Sequence, residues 1–198
     1  MPTPRIIRLA TPADALQCAS IYAPHVRDSA VSFEMEPPSA DEVAQRIVTT
    51  LQRFPWLVCV DGNEVTGYAY AGAHRQRAAF QWSVEVSVYV KDGHHRQGVG
   101  KALYTSLFAC LRVLGYYNAY AVIALPNDAS VALHESLGFR HVGTLTDVGY
   151  KLGKWHPVGY WEMGLRDRSA PAPPVSVPEV SGTAAWTEAV ASGERLLG

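Results

Sequence analysis

Apolar and polar positions repeat with two different periods along this chain, and the switch between them marks its centre. From Val84 to Val90 the period is two: Val84, Val86, Val88 and Val90 alternate with Glu85, Ser87 and Tyr89. That pattern predicts a strand with one apolar and one polar face. Lys91-Asp92-Gly93 then marks a turn, and Gly98 and Gly100 open a helix in which Val99, Leu103, Leu107 and Leu111 recur at helical spacing. A strand, a short glycine-bearing loop and a helix start together can bind an anion. The first helical turn has unpaired N–H groups and a partial positive charge, and glycine lets the backbone come close. Arg96 and Lys101 flank the loop with positive charge. No Gly-Lys-Ser/Thr follows at P-loop spacing. The dinucleotide fingerprint lacks one glycine and an opening βαβ unit. A plain strand-to-helix turn with two convenient glycines remains open on the loop alone.

The same patterning extends in both directions. Arg5 to Leu9 reads as a strand. Thr11 reads as a cap for a helix that ends near Pro24. His25 to Pro38 is irregular and carries Phe33. Ser39-Ala40-Asp41-Glu42 is a capping box for a helix from Asp41 to about Gln52. Trp56–Val60 and Val65–Ala73 form a hairpin about Asp61-Gly62-Asn63, followed by a connection, His74 to Ala79. Beyond the central unit come a strand from Ala119 to Leu125, a short helix from Ala129 to Leu137 closed by Gly138, and a strand from Phe139 to Thr146. A turn region at Gly149–Gly153 and a last strand, Val158 to Leu165, complete the pattern. The order β-α-α-β-β-β-α-β-α-β-β predicts one α+β domain over residues 1–167, with a mixed, mostly antiparallel sheet. Residues 168–198 are rich in proline and alanine and are expected to be weakly ordered, with a short amphipathic helix from Ala184 to Leu197.

Composition narrows the function. A formal charge of −1 implies neither nucleic acid nor an anionic membrane as partner. The N-terminal segment lacks a signal-peptide core, and no apolar run would span a bilayer. Cys18, Cys59 and Cys110 lie far apart in apolar surroundings, which suits core positions in a reducing cytoplasm. No Cys/His cluster has metal-ligand spacing, so no metal is expected.

Candidate chemistry rests on few residues. Glu85 is a carboxylate amid valines. Buried there, desolvation would raise its pKa toward a useful value for a base; on the wet face of an antiparallel sheet it would be an ordinary exposed glutamate. Arg75 and Arg77 read either as a solvated basic loop or as an anion clamp. His134, seven residues after Asn127, reads as a packing residue or a proton donor.

Several stretches together resemble a known family: RFPWLVCVDGNEVTGYAYAG, FQWSVEVSVYV, RQGVGKALYTSL, AVIALPNDASVALHESLGF and GKWHPVGYWEM. With the element order, they resemble the GNAT superfamily of N-acetyltransferases, and within it the phosphinothricin and methionine sulfone/sulfoximine N-acetyltransferases. The resemblance covers nearly all of Ile6 to Leu165. It implies the GNAT fold, with helices on both faces of the sheet, and acetyl-CoA as donor. The backbone of Val88, Tyr89 and Val90 would pair with the pantetheine arm. Arg96, Gln97, Gly98, Val99, Gly100 and Lys101 would hold the pyrophosphate, and Asn127 would lie beside the pantetheine end. His95 stands where the pattern usually has Gln or Arg, which implies weaker cofactor affinity at most. Glu85 would be the general base, the Val88 N–H would stabilise the developing oxyanion, and His134, or alternatively Tyr104, would protonate the departing thiolate. Phe33, Arg75, Arg77, Phe80, Glu85 and Ser87 would line the site of a small amino-acid-like amine. Phe80 replaces a tyrosine often found in herbicide-detoxifying members, which removes a hydroxyl that could bind a phosphinate oxygen. The resemblance also implies a homodimer, with aromatic surface on the closing strand GYWEM. Acetylation of a protein N-terminus or lysine, and a catalytically silent acetyl-CoA sensor, are the competing readings.

Overall fold

The computed structural model describes residues 4–197; residues 1–3 of the expected domain and Gly198 of the expected tail lie outside it. Seven strands form one sheet in the order β1-β2-β3-β4-β5-β7-β6. They are β1 (Ile6–Leu9), β2 (Trp56–Asp61), β3 (Glu64–Ala73), β4 (Ser83–Val90), β5 (Asn118–Ala124), β6 (Arg140–Lys151) and β7 (Lys154–Gly164). Every neighbouring pair is antiparallel except β4 and β5, which are parallel.

Strand alternation sends the two sheet faces to different cores. Trp56, Val58, Val60, Val65 and Tyr68 pack under α1 (Ala15–Arg27) and α2 (Ala40–Leu51). Leu57, Cys59, Ala69, Ala71, Val84 and Val86 pack under α3 (Val99–Leu114) on the other face. The α+β expectation, with helices on both faces, therefore holds. The thiols of Cys18 and Cys110 are pushed up to about 12 by burial, so they serve as core.

Three boundaries differ from the sequence reading. Helix α1 continues through Pro24 to Arg27, and the Pro24 carbonyl accepts from the Asp28 N–H at 2.9 Å. A proline forfeits its own N–H bond, but its carbonyl and the residues after it can still complete a last turn. Strand β6 runs on to Lys151 past an irregularity between Leu145 and Gly149, so the turn shrinks to Leu152-Gly153 (φ 50° and 77°). Gly149 lies inside the strand, paired with His156, and the Phe33 ring packs on its bare Cα. A Cβ there would stand 2.3 Å from that ring.

The third difference is the tail. Short helices α5 (Val177–Val180) and α6 (Ala184–Ala191) follow the proline-rich stretch, capped by Ser176 and Thr183. Val177, Trp186, Ala189 and Leu197 are buried in the same core as α3. Proline content suggested a loose chain, yet apolar residues spaced through the segment pack against α3 and β1. Trp186→Ala is expected to destabilise the protein by about 3–5 kcal/mol, read as a fall in chemical-denaturation midpoint.

Candidate active site

A gap in the sheet creates the site. Strands β4 and β5 are matched only from Ser83–Glu85 to Asn118–Tyr120. Beyond Glu85 they splay, while β4 stays paired with β3 as far as Val90. The direction of the free backbone groups follows from parity. Ser83 O accepts from His74 N at 3.4 Å and Lys91 N donates to Thr66 O at 2.9 Å. Odd-numbered β4 residues therefore spend their backbone bonds on β3, and even-numbered ones point the opposite way. Val88 thus turns its N–H and C=O into a gap without a partner strand, together with the Val86 C=O just past the last matched pair and the Val90 N–H. Tyr89, expected to pair with a ligand through its backbone, instead pairs with Tyr68 of β3; the residue borders the cleft and its ring packs on Tyr22 and Tyr68 at 5.0 and 5.3 Å. Ser87 and, across the gap, Asn127, Ser130 and His134 complete the walls.

At the top of the gap the loop enters α3. Arg96 (φ 62°) and Gly98 (φ 81°) are both left-handed, and Gly98 is the N-cap. Such alternation turns successive N–H groups to one side, as anion nests do. Gly100 lies where a Cβ would press on Leu133 at 3.3 Å and Val90 at 3.6 Å. The Gln97 side chain is already engaged: it donates to Gly93 O at 2.8 Å and accepts from Arg5 at 2.7 Å. Only its backbone can face an anion. Arg96 and Lys101 are exposed beside the helix start, Val99 is buried beneath it, and His95 Nε2 lies 3.0 Å from Val90 O, tying the loop to the strand end. Asn127 caps α4 (Asp128–Ser136) through Oδ1, which accepts from Ser130 N at 3.2 Å, leaving its amide NH₂ to the cleft. This donor set suits a pyrophosphate and an amide-bearing arm.

Glu85 differs from its expected setting. Its side chain is 37% exposed, on the face opposite the four valines, so burial of the carboxylate is only partial. Oε1 lies 3.0 Å from His74 Nδ1 and 3.4 Å from Arg75 Nη1. Among the described residues Oε2 has no hydrogen-bond partner, so it is open to an incoming ammonium. The His74 ring stacks on Tyr120 at 4.3 Å. Sequence reasoning missed His74, although the hairpin register held the signal: Gly72 faces Glu85, so the residue two further on is its diagonal neighbour.

The expected acceptor set divides. Glu85, Arg75 and Ser87 gather along β4. Arg77 and Phe80 line a second cavity of ≈ 250 Å³ with Arg53 and Phe54, and the Phe80 ring also stands edge-on to His74 at 6.1 Å, beside Glu85. Arg75 reaches both places. Phe33 lies on the β6–β7 hairpin, 6.2 Å from the His156 ring.

Tyr104 and His134 form a buried pair on the cleft floor. Tyr104 Oη is 2.9 Å from His134 Nε2, and His134 Nδ1 is 2.7 Å from Ser130 O. A carbonyl can only accept, so Nδ1 carries the proton, Nε2 accepts, and Tyr104 donates. Burial lowers the His134 pKa from its ordinary 6.5 and raises that of Tyr104 above 10. At neutral pH the imidazole is neutral with its one N–H committed, and the phenol holds the proton next to the cleft. A depressed histidine pKa means that the unfolded chain binds the extra proton first. Stability should therefore be full above 6.5 and fall as pH drops from 6.5 through the lowered folded value. Thermal unfolding followed from pH ~7.5 to ~5.5 should show this slope, flattened in His134→Gln.

Among the described residues no three His, Cys, Asp or Glu side chains cluster as metal ligands, and no helix is long and apolar enough to cross a membrane. Comparison with known proteins identifies the family. The acetyltransferase (GNAT) domain family model matches residues 7–157. A phosphinothricin N-acetyltransferase of Streptomyces viridochromogenes is 43% identical, covering 88% of this chain and 94% of its own. An L-methionine sulfoximine/L-methionine sulfone acetyltransferase of Salmonella typhimurium is 33% identical over 83% of this chain and 97% of its own. The crystal structure of a GNAT superfamily phosphinothricin acetyltransferase from Sinorhizobium meliloti, in complex with AcCoA, superposes with a TM-score of 0.80 at 32% identity, covering 93% of this chain and 98% of that one. The splayed β4–β5 pair and its glycine loop thus sit in a chain that belongs to the GNAT acetyltransferase family.

Proposed function

We propose that this protein transfers the acetyl group of acetyl-CoA to the α-amine of a small amino-acid-like substrate of the phosphinothricin, methionine sulfoximine or methionine sulfone type, by direct attack in a ternary complex. One observation carries the reading. A single strand lines up the glycine loop, the Val90 N–H, the free backbone of Val88, and the Glu85 carboxylate, so donor and acceptor sites adjoin along β4. Acetyl-CoA supplies an acetyl group already activated as a thioester. The first-turn amides of α3 with Arg96 and Lys101 hold its pyrophosphate, and Asn127 and the β4 backbone hold its arm. Glu85 Oε2 takes the proton from the acceptor ammonium, with Oε1 fixed by His74 and Arg75. The Val88 N–H faces the point where charge develops on the carbonyl oxygen, a role worth about 2–4 kcal/mol. Tyr104 holds the proton for the departing sulfur, and His134 orients its hydroxyl. Arg75 and Ser87 contact the acceptor, whose carboxylate suits a guanidinium.

We place the protein in the cytoplasm, where three buried, free cysteines persist, and we assign it a homodimer. Trp161 and Met163 of the closing strand are buried, so the surface expected there is not available. The exposed apolar surface lies instead on the β6–β7 hairpin, at Val142, Leu145, Val148, Tyr150, Leu152 and Trp155. Light scattering that finds only monomer at micromolar concentration would remove the dimer.

The function is tested by CoA release from acetyl-CoA with phosphinothricin, methionine sulfoximine, methionine sulfone, the common amino acids and short peptides. Saturable turnover on one of the first three supports the reading. Turnover on peptides alone assigns the site to protein acetylation, and acetyl-CoA binding without turnover on any amine makes it a sensor.

A further inference from the structure

Helix α3 presents two opposite stripes in its first turns. Gly100 and Tyr104, four residues apart, face the cleft. Gly98, Ala102 and Ser106, also four apart, lie on the other side. The C-terminal segment lies on that back stripe. A Cβ on Gly98 would stand 2.6 Å from Leu196 O. A Cβ on Gly193 would stand 2.0 Å from Ala102 O, so the segment's backbone lies directly on the helix. The Gly193 N–H donates to Ser106 Oγ at 3.0 Å. Glu194 Oε1 accepts from the Ile7 N–H at 2.7 Å, which anchors the same turn to the edge strand β1. Trp186, Ala189 and Leu197 share a core with Val99, Ala102 and Leu103.

We infer that the segment from Ser176 to Leu197 is a positioning element for acetyl-CoA binding, which fixes the loop and first two turns of α3 from behind. The inference rests on the acetyl-CoA reading above. The nest needs Gly98 at a left-handed φ, and Leu196 O bears on that residue, so the segment and the anion site share one backbone atom cluster. Freeing the segment lets the α3 N-terminus fray, and the first-turn amides lose the fixed direction that a preorganised anion site requires. Tyr104 moves with the same two turns.

Deleting the segment would strip Trp186 from the core and risks unfolding, so the test uses Glu194. Glu194→Ala removes the anchor to Ile7, and Glu194→Gln keeps an acceptor oxygen. Acetyl-CoA affinity is measured by calorimetry, and amide hydrogen exchange is followed in the ligand-free protein at Ala102, whose N–H makes the first helical bond of α3 (to Gly98 O, 2.8 Å), and at Leu103. In Glu194→Ala we expect faster exchange at those amides and acetyl-CoA binding weakened about five- to tenfold. The acceptor-amine KM should stay unchanged and Glu194→Gln should restore both readouts. Unchanged exchange and unchanged affinity in Glu194→Ala overturn the inference, as does an equal loss in acceptor KM. A wild-type protein that binds no acetyl-CoA overturns the functional reading instead, and the exchange result then still decides whether the segment holds the helix start.

Discussion

Glu85→Gln is expected to lower kcat/KM by about 10²–10⁴-fold at neutral pH, with acetyl-CoA binding unchanged. The substitution keeps shape and one acceptor oxygen, so His74 Nδ1 and Arg75 can still be satisfied near their present 3.0 and 3.4 Å. What disappears is the ability of Oε2 to take a proton. An amino-acid α-amine is protonated at neutral pH and cannot attack until that proton leaves. The loss should therefore shrink as the pH is raised and solution supplies free amine. CoA release measured for both proteins across the neutral-to-alkaline range checks this. A constant ratio across pH would show that Glu85 orients the acceptor, and full activity in the variant would remove it from the chemistry.

The parts of this site that could be read from the sequence are those set by local pattern. Period-two alternation placed Val84–Val90 on a strand, and the glycines with the helical repeat placed an anion site at its end. What the pattern could not supply is register and separation. Alternation already set Glu85 on the face opposite the valines, but only the register with β3 brings His74 beside it and leaves the side chain half-buried. The splay of β4 from β5 depends on where β5 stops following β4, which no local signal marks. Arg77 and Phe80 likewise flank a 3₁₀ turn at Ala78–Phe80, which opens them to a second cavity while the Phe80 ring still meets His74 at 6.1 Å. The C-terminal segment was misjudged for the reverse reason. Its composition is that of a linker, but a few well-spaced apolar residues sufficed because α3 and β1 offered a face to cover.

Tyr104→Phe is expected to reduce kcat by about 10²-fold with little change in acetyl-CoA affinity, and to lower stability by about 1–3 kcal/mol. Both effects come from one hydrogen bond. Tyr104 donates to His134 Nε2, and its loss leaves a buried imidazole nitrogen unsatisfied, because Nδ1 is already committed to Ser130 O. Removing the hydroxyl also removes the proton that the cleft holds at neutral pH. The comparison that assigns the donor is with His134→Gln. If the phenol is the acid and the histidine its orienting partner, Tyr104→Phe loses more activity. If the histidine donates directly, the order reverses, and activity should then fall off above its lowered pKa. A buried, neutral imidazole with its single N–H bound to a carbonyl would have to reorganise to play that part, whereas the phenol needs only to rotate its O–H. Single-turnover CoA release in the two variants, measured at saturating acetyl-CoA so that binding differences drop out, distinguishes the alternatives.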